Sequence, residues 1–134
     1  MQSINAGNTQ RAATPAPETR NQKRVLVMSL GDFEQLVLLA ILHVRDGAYA
    51  VPVRRVIEER TGRPVTRGAL YTALERLDAK GLVRSKLGES TPERGGRPKR
   101  YFRVTAEGRA ALRHSHATLA SMWRGLESEL GRTS

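Results

Sequence analysis

Apolar residues between Thr66 and Val83 recur with the spacing of an α-helix. Leu70, Ala73, Leu74 and Leu77 stand at i, i+3, i+4 and i+7, which places them on one stripe. Thr66 is suited to cap the start of this helix, and Gly81 to follow its end in the left-handed conformation. The exposed side then carries small or hydrogen-bonding residues, namely Arg67, Gly68, Tyr71, Thr72 and Arg76. The pattern alone also fits an ordinary amphipathic surface helix.

Two further helices are predicted upstream of this one. The first runs from about Leu30 to Arg45 and is apolar on most of its circumference, so we expect neighbours on more than one side of it. The second runs from Tyr49 to Thr61, with Pro52 in its first turn and Gly62 after its end. The short link that follows, residues 63–65, is typical of a helix-turn-helix.

The next stretch predicts a β-hairpin with a long tip. Apolar and basic residues alternate from Leu82 to Leu87, a polar loop rich in turn residues follows over residues 88–98, and alternation resumes from Lys99 to Thr105. Three helices and a hairpin are the element order of a winged helix-turn-helix domain. We therefore predict a mainly α fold with a small β-hairpin, in which residues 29–105 bind DNA.

The C-terminal part, residues 106–134, predicts a dimerisation helix that Thr105 caps. Six residues follow steps of four and three, the spacing of a heptad seam: Leu112, His116, Leu119, Trp123, Leu126 and Leu130. We expect this seam to pack against the first helix of a partner chain. From the first helix the predicted dimer contacts are Phe33, Leu36, Val37 and Ile41. The alternative is that the C-terminal helix only covers its own domain.

Charge favours a polyanionic partner. The 134 residues carry a formal net charge of +10, with a pI near 11.2, and nucleic acid is the commonest partner of such chains. Residues 84–103 contain seven basic and two acidic residues. From this hairpin we expect five residues to contact DNA: Arg94, Arg97, Lys99, Arg100 and Tyr101. Two alternatives remain open, a basic RNA- or ribosome-associated protein and a winged helix that binds another protein.

Composition argues against an enzyme or a cofactor site. The chain has no cysteine and three scattered histidines, so neither a thiol nucleophile nor a metal site is expected. No apolar run approaches the length of a membrane span, and no signal-peptide core opens the chain, so we expect no membrane association and a cytoplasmic location. Residues 1–28 read as a basic, flexible tail, with an additional DNA-contacting arm as the alternative.

Three blocks together resemble the PadR-like winged-helix transcriptional regulators: LGDFEQLVLLAIL, AYAVPVRRVIEERTGRPVTRGALYTALERLDAKGLV and PERGGRPKRYFRVTAEGRAAL. The resemblance implies a homodimeric regulator, usually a repressor, that binds an inverted-repeat operator. Residue by residue, it places Thr66, Gly68, Tyr71 and Thr72 on the groove-facing turn of the recognition helix. It places Arg97, Lys99, Arg100 and Tyr101 on the basic wing.

The same resemblance makes Tyr49 the aromatic residue that opens the second helix, often against the DNA backbone. Ala50 departs from the family, whose members commonly have glycine there. Small aromatic effectors can bind between the C-terminal helices of the family. Trp123, the single tryptophan, is therefore the residue expected to contact such an effector.

Overall fold

A computed structural model describes residues 30–89 and 98–131. The elements, in chain order, are α1 (Asp32–Val44), α2 (Ala50–Thr61), α3 (Arg67–Ala79), β1 (Val83–Leu87), β2 (Arg100–Val104), α4 (Ala106–Trp123) and the short α5 (Glu127–Leu130). The predicted fold class is confirmed, and most helix and strand ends fall within two residues of the predicted ones. The basic tail and the hairpin tip with Arg94 and Arg97 lie outside the described residues.

The core forms where α1 packs against α2 and α3. Six side chains are almost completely buried there: Leu38, Leu70, Leu77, Val37, Val53 and Val83. The stripe predicted for the third helix is wholly inside, because its four members are all buried. This burial leaves the opposite side of α3 exposed to solvent.

Two hydrogen bonds fix the helix-turn-helix where its link meets α3. The Thr66 hydroxyl accepts the Ala69 N–H at 3.0 Å, which caps α3 as the sequence predicts. At the preceding residue, the Val65 N–H donates to the Glu58 carboxylate at 2.9 Å. Because that bond joins α2 to the link, it sets where α3 begins relative to α2.

The wing is attached to the helices through backbone contacts. Strands β1 and β2 pair antiparallel, with Val83 opposite Val104 and Leu87 opposite Arg100. The Phe102 N–H donates to the Ala48 carbonyl at 2.8 Å, so the segment before α2 extends the hairpin edge. This bond holds the start of α2 beside the wing.

Three predicted dimer contacts turn out to lie inside their own chain. Val37 and Ile41 are 0% and 3% exposed, and Leu112 is 9% exposed. Val37 and Ile41 pack in the core because α1 is covered by α2, α3 and the wing of the same chain, and Leu112 packs there from α4, which contacts α1 and β2. Phe33 and Leu36 are only partly buried. The breadth of the apolar surface on α1 is therefore explained largely by its own domain.

The C-terminal helix is shorter than predicted. The predicted seam from Leu112 to Leu130 is therefore not continuous. α4 ends at Trp123, and Gly125 follows with a φ of +90°. A glycine in that conformation interrupts the i→i+4 ladder. Leu126 and Leu130 consequently belong to a separate turn of helix rather than to one seam with Leu119.

Candidate nucleic-acid interface

The exposed side of α3 borders a groove shared with the start of α2 and the base of the wing. The groove has a volume of about 320 Å³. Its lining contains four basic side chains and no acidic one: Arg54, Arg67, Lys99 and Arg100. Tyr71, 41% exposed, projects from α3 into the same groove.

An aromatic contact orders the base of the wing. The rings of Tyr49 and Tyr101 meet edge to face, with centroids 5.8 Å apart and planes at 76°. The Lys99 ammonium lies 3.9 Å from the centroid of the Tyr49 ring, a cation–π distance. Tyr101 also lies against Gly88, where an added Cβ would come within 2.5 Å of its Cε2 atom. The aromatic pair thus links the start of α2 to both strands of the wing.

Arg100 is held at the edge of the groove by the neighbouring strand. Its Nη1 donates to the Ser85 Oγ at 3.0 Å, and no carboxylate in the described part of the chain neutralises it. Since the guanidinium has five N–H donors, this bond leaves others for an incoming phosphate.

A second cleft lies on the other flank of α3, between α3 and the start of α1. It has a volume of about 630 Å³, and Gly68, Thr72 and Arg76 line it. Nothing lies within 4 Å of the position that a Cβ would take at Gly68, so this turn of the helix is open to close approach. With a cleft on each flank, α3 projects as a ridge, which is the shape needed to enter a DNA groove.

The structure brings most of the sequence-predicted contacts to one surface. Around the first groove lie Tyr49, Arg67, Tyr71, Lys99 and Arg100. Gly68, Thr72 and Arg76 lie on the neighbouring flank of the same helix. Thr66 and Tyr101 differ, because the Thr66 hydroxyl caps α3 and the Tyr101 ring packs on Tyr49. Their roles in the structure are to position the helix and the wing.

The groove also contains residues that were not predicted as DNA contacts, among them Val51 and Arg54. Helical spacing after Tyr49 could have indicated them, because residues 50, 51 and 54 share one face at the start of α2. That face meets α3 and the wing only in the folded chain.

The remaining predicted dimer contacts lie at the C-terminal end of the chain, and most of them form an exposed apolar surface. Leu119, Trp123, Leu126 and Leu130 are 59%, 39%, 44% and 60% exposed, and Met122, which was not predicted, is 70% exposed. His116, the polar member of the predicted seam, is exposed as well. Exposed apolar side chains at this density mark an interaction surface.

Neither a membrane-spanning helix nor a metal-binding cluster is found among residues 30–89 and 98–131. No helix there is long and apolar enough to cross a membrane. Those residues also contain no group of three or more histidine, cysteine, aspartate or glutamate side chains placed to hold a metal ion.

A helix-turn-helix whose recognition helix projects beside a cationic wing defines the class of winged-helix DNA-binding proteins. Residues 38–114 match the model of the transcriptional regulator PadR-like family. The chain therefore belongs to the PadR-like transcriptional regulators. This membership confirms the family resemblance, and it confirms that the protein is a regulator rather than an enzyme. PadR-like regulators bind DNA, so DNA is a partner of this chain.

Solved structures support the fold. A PadR family transcription regulator from Clostridium difficile is 23% identical, with a TM-score of 0.59, over 74% of this chain and 99% of that one. A PadR family transcriptional regulator from Eggerthella lenta is 24% identical, with a TM-score of 0.58, over 90% of this chain and 100% of that one. A PadR-like regulator from Bacillus cereus is 18% identical, with a TM-score of 0.59, over 75% of this chain and 93% of that one. The search of curated proteins gave no match.

Proposed function

We propose that the protein is a homodimeric repressor that binds an inverted-repeat operator in duplex DNA. One observation carries this proposal: the projecting side of α3 and the cationic base of the wing border a single groove in each chain. The exposed first turn of α3 enters the major groove, where Arg67, Tyr71 and Thr72 contact base edges or nearby phosphates.

The basic residues around α3 supply most of the affinity. Arg54, Lys99 and Arg100 bind phosphates and position the helix without reading sequence. The wing tip with Arg94 and Arg97 extends the same role along the backbone or into the minor groove. Specificity then rests on the few side chains of α3 that reach base edges.

Dimerisation uses the apolar surface of the C-terminal part. Leu119, Met122 and Trp123 of α4 pack against the partner chain, together with the partly buried Phe33 and Leu36 of α1. The domain division that we propose follows from this: residues 29–105 bind DNA, and residues 106–134 pair the two chains. Residues 1–28 precede the binding domain as a basic tail.

A two-fold dimer sets the spacing of the operator. Two copies of α3 enter successive major grooves, whose centres are about 34 Å or ~10 bp apart. Occupancy of a promoter then blocks the polymerase sterically. A small aromatic effector bound beside Trp123, between the C-terminal helices, would change the spacing of the two α3 helices and release the operator. The protein acts in the cytoplasm, where it meets the DNA.

Selection of bound fragments from a randomised duplex pool tests this function directly. The expected result is an inverted repeat whose half-sites are centred one helical turn apart. Enrichment of a single unrepeated site, or of no sequence, would contradict a dimeric operator-binding protein. Competition with structured RNA distinguishes this function from the RNA-binding alternative. An operator-binding protein should stay bound to duplex DNA when RNA is added.

A further inference from the structure

The wing has a second basic face, which lies away from the DNA-binding groove. Strand residues alternate between the two faces of a hairpin. Leu87 and Arg100 are direct partners and line the groove. Arg84 and Arg103 are also direct partners, but they line a separate cleft. The operator-binding function proposed above makes no use of this cleft.

The cleft has the size of a small-molecule site. Its volume is about 810 Å³, within the range of roughly 300–1,000 Å³ that such sites occupy. Leu42 and Tyr101, which are both partly buried, contribute an apolar side chain and an aromatic edge to its wall. Ile41 and Val104 also line it, as buried core residues that are 3% and 5% exposed. An apolar wall behind charged side chains suits a ligand with an apolar or planar body and a charged end.

The charge around the cleft calls for an anion. Five basic side chains line it against the single carboxylate of Asp46: Arg45, Arg84, Lys86, Arg103 and Arg109. Among residues 30–89 and 98–131 the one ion pair is that of Lys80 with Glu34, so none of the five is neutralised there. Arginines on one concave surface can bind phosphate oxygens with two parallel hydrogen bonds each.

Two features of this cluster carry an energetic cost: repulsion between side chains and a strained backbone conformation. Arg84 and Arg103 stand directly opposite each other across the strands, where like charges repel. Arg45 has a φ of +68° and a ψ of −127°, a conformation that residues other than glycine rarely adopt. Strain of this kind is characteristic of sites that bind ligands. A bound anion would offset the repulsion across the strands.

We propose that this cleft binds a nucleoside triphosphate or a closely similar phosphorylated small molecule. The phosphates lie between Arg84, Arg103 and the other cations, and the base lies against the apolar wall and Tyr101. A DNA backbone is a poorer fit, because a duplex presents its phosphates on a convex surface. It also has no exposed apolar group that could contact the wall of the cleft.

Calorimetric titration of the full-length protein with ATP, tripolyphosphate and adenosine tests the proposal. ATP is expected to bind with one molecule per chain, and adenosine and tripolyphosphate at least ten-fold more weakly. Tripolyphosphate binding as tightly as ATP would overturn the proposal, since the cleft would then select charge alone. Absence of ATP binding would overturn it as well.

Matched double variants separate this cleft from the general basicity of the chain. Arg84→Gln with Arg103→Gln should lower the ATP affinity at least ten-fold. Arg54→Gln with Arg67→Gln removes the same charge from the DNA-binding groove and should change the ATP affinity less than two-fold. Equal losses in the two variants would mean non-specific attraction and would overturn the assignment. Without ligand, Arg103→Gln alone should raise the midpoint of thermal unfolding, and a lower midpoint would contradict the repulsion across the strands.

Discussion

The Lys80 ammonium donates a hydrogen bond of 2.9 Å to the Glu34 carboxylate, which joins the end of α3 to the first turn of α1. The same Glu34 oxygen accepts the Gly31 N–H at 3.0 Å. Burial alone would raise the pKa of Glu34. The Lys80 and Gly31 hydrogen bonds and the charges of Lys80 and Arg76 outweigh it, so the pKa lies below its usual value of 4.5. The pair therefore holds the recognition helix against α1.

Glu34→Gln should lower the free energy of unfolding by about 1–2 kcal/mol at pH 7, because a charged hydrogen bond becomes a neutral one in a buried position. The lowered pKa means that the carboxylate contributes stability above about pH 4.5, and that this contribution is lost as the pH falls below that value. Urea unfolding at pH 7 and at about pH 3.5 measures both effects. Glu107→Gln, at an exposed position of α4, is the control. A difference from the wild type that stays constant across this range would contradict the role of the ion pair.

Substitution of two helical glycines by alanine should change the stability of the protein in opposite directions. At Gly108 an added Cβ would collide with the Leu82 carbonyl oxygen and lie 2.7 Å from Val104 Cγ1. Gly108→Ala should therefore destabilise the protein by about 1–3 kcal/mol through overpacking. Gly68→Ala meets open space and should stabilise α3 by up to about 1 kcal/mol. Chemical denaturation of both variants measures the two signs, and a neutral Gly108→Ala would disprove the close packing of α4 on the Leu82 turn.

Tyr71→Ala should reduce operator discrimination more than general DNA affinity. The Tyr71 side chain projects from α3 into the groove, where it can reach base edges. Titration of labelled operator and of random duplex DNA measures the two affinities separately. Tyr71→Phe is the matched variant, because it keeps the ring and removes only the hydroxyl. Equal losses on operator and random DNA would place this residue among the phosphate contacts instead.

Arg54→Gln with Arg67→Gln should weaken binding to every duplex. If each side chain neutralises one phosphate, the slope of log K against log salt should flatten by about 2. Arg113→Gln with Arg124→Gln removes the same charge from the C-terminal part, outside the lining of the groove. Fluorescence titrations over a salt series give both slopes. An unchanged slope in the first variant would remove this pair from the DNA contacts.

Leu119→Asp with Leu126→Asp should convert a dimer into monomers. Both side chains are exposed in the single chain, so the substitutions should leave its fold intact. Analytical ultracentrifugation measures the change in mass. Val51→Asp with Leu87→Asp introduces the same charges at exposed apolar positions of the groove and should stay dimeric. A dimer that persists in the first variant would require a different pairing surface.

Local patterns in the sequence were sufficient to predict the elements. The i, i+3, i+4 and i+7 spacing around Leu70, the Thr66 and Thr105 caps and the alternation around Phe102 each depend on neighbours a few residues away. Those interactions are short-range, so they can be predicted without knowing the fold. The element order then indicated a winged helix, and the charge of the hairpin indicated a polyanionic partner.

Contacts between distant segments were decided only by the tertiary structure. The breadth of the apolar surface on α1 suggested a partner chain, yet Val37 and Ile41 are buried by their own domain. The Glu34–Lys80 pair joins residues 46 positions apart, and Arg54 enters the groove only because α2 packs beside α3 and the wing. A hydrophobic or charged side chain shows what kind of neighbour it needs, whereas packing of the whole chain selects which neighbour it has.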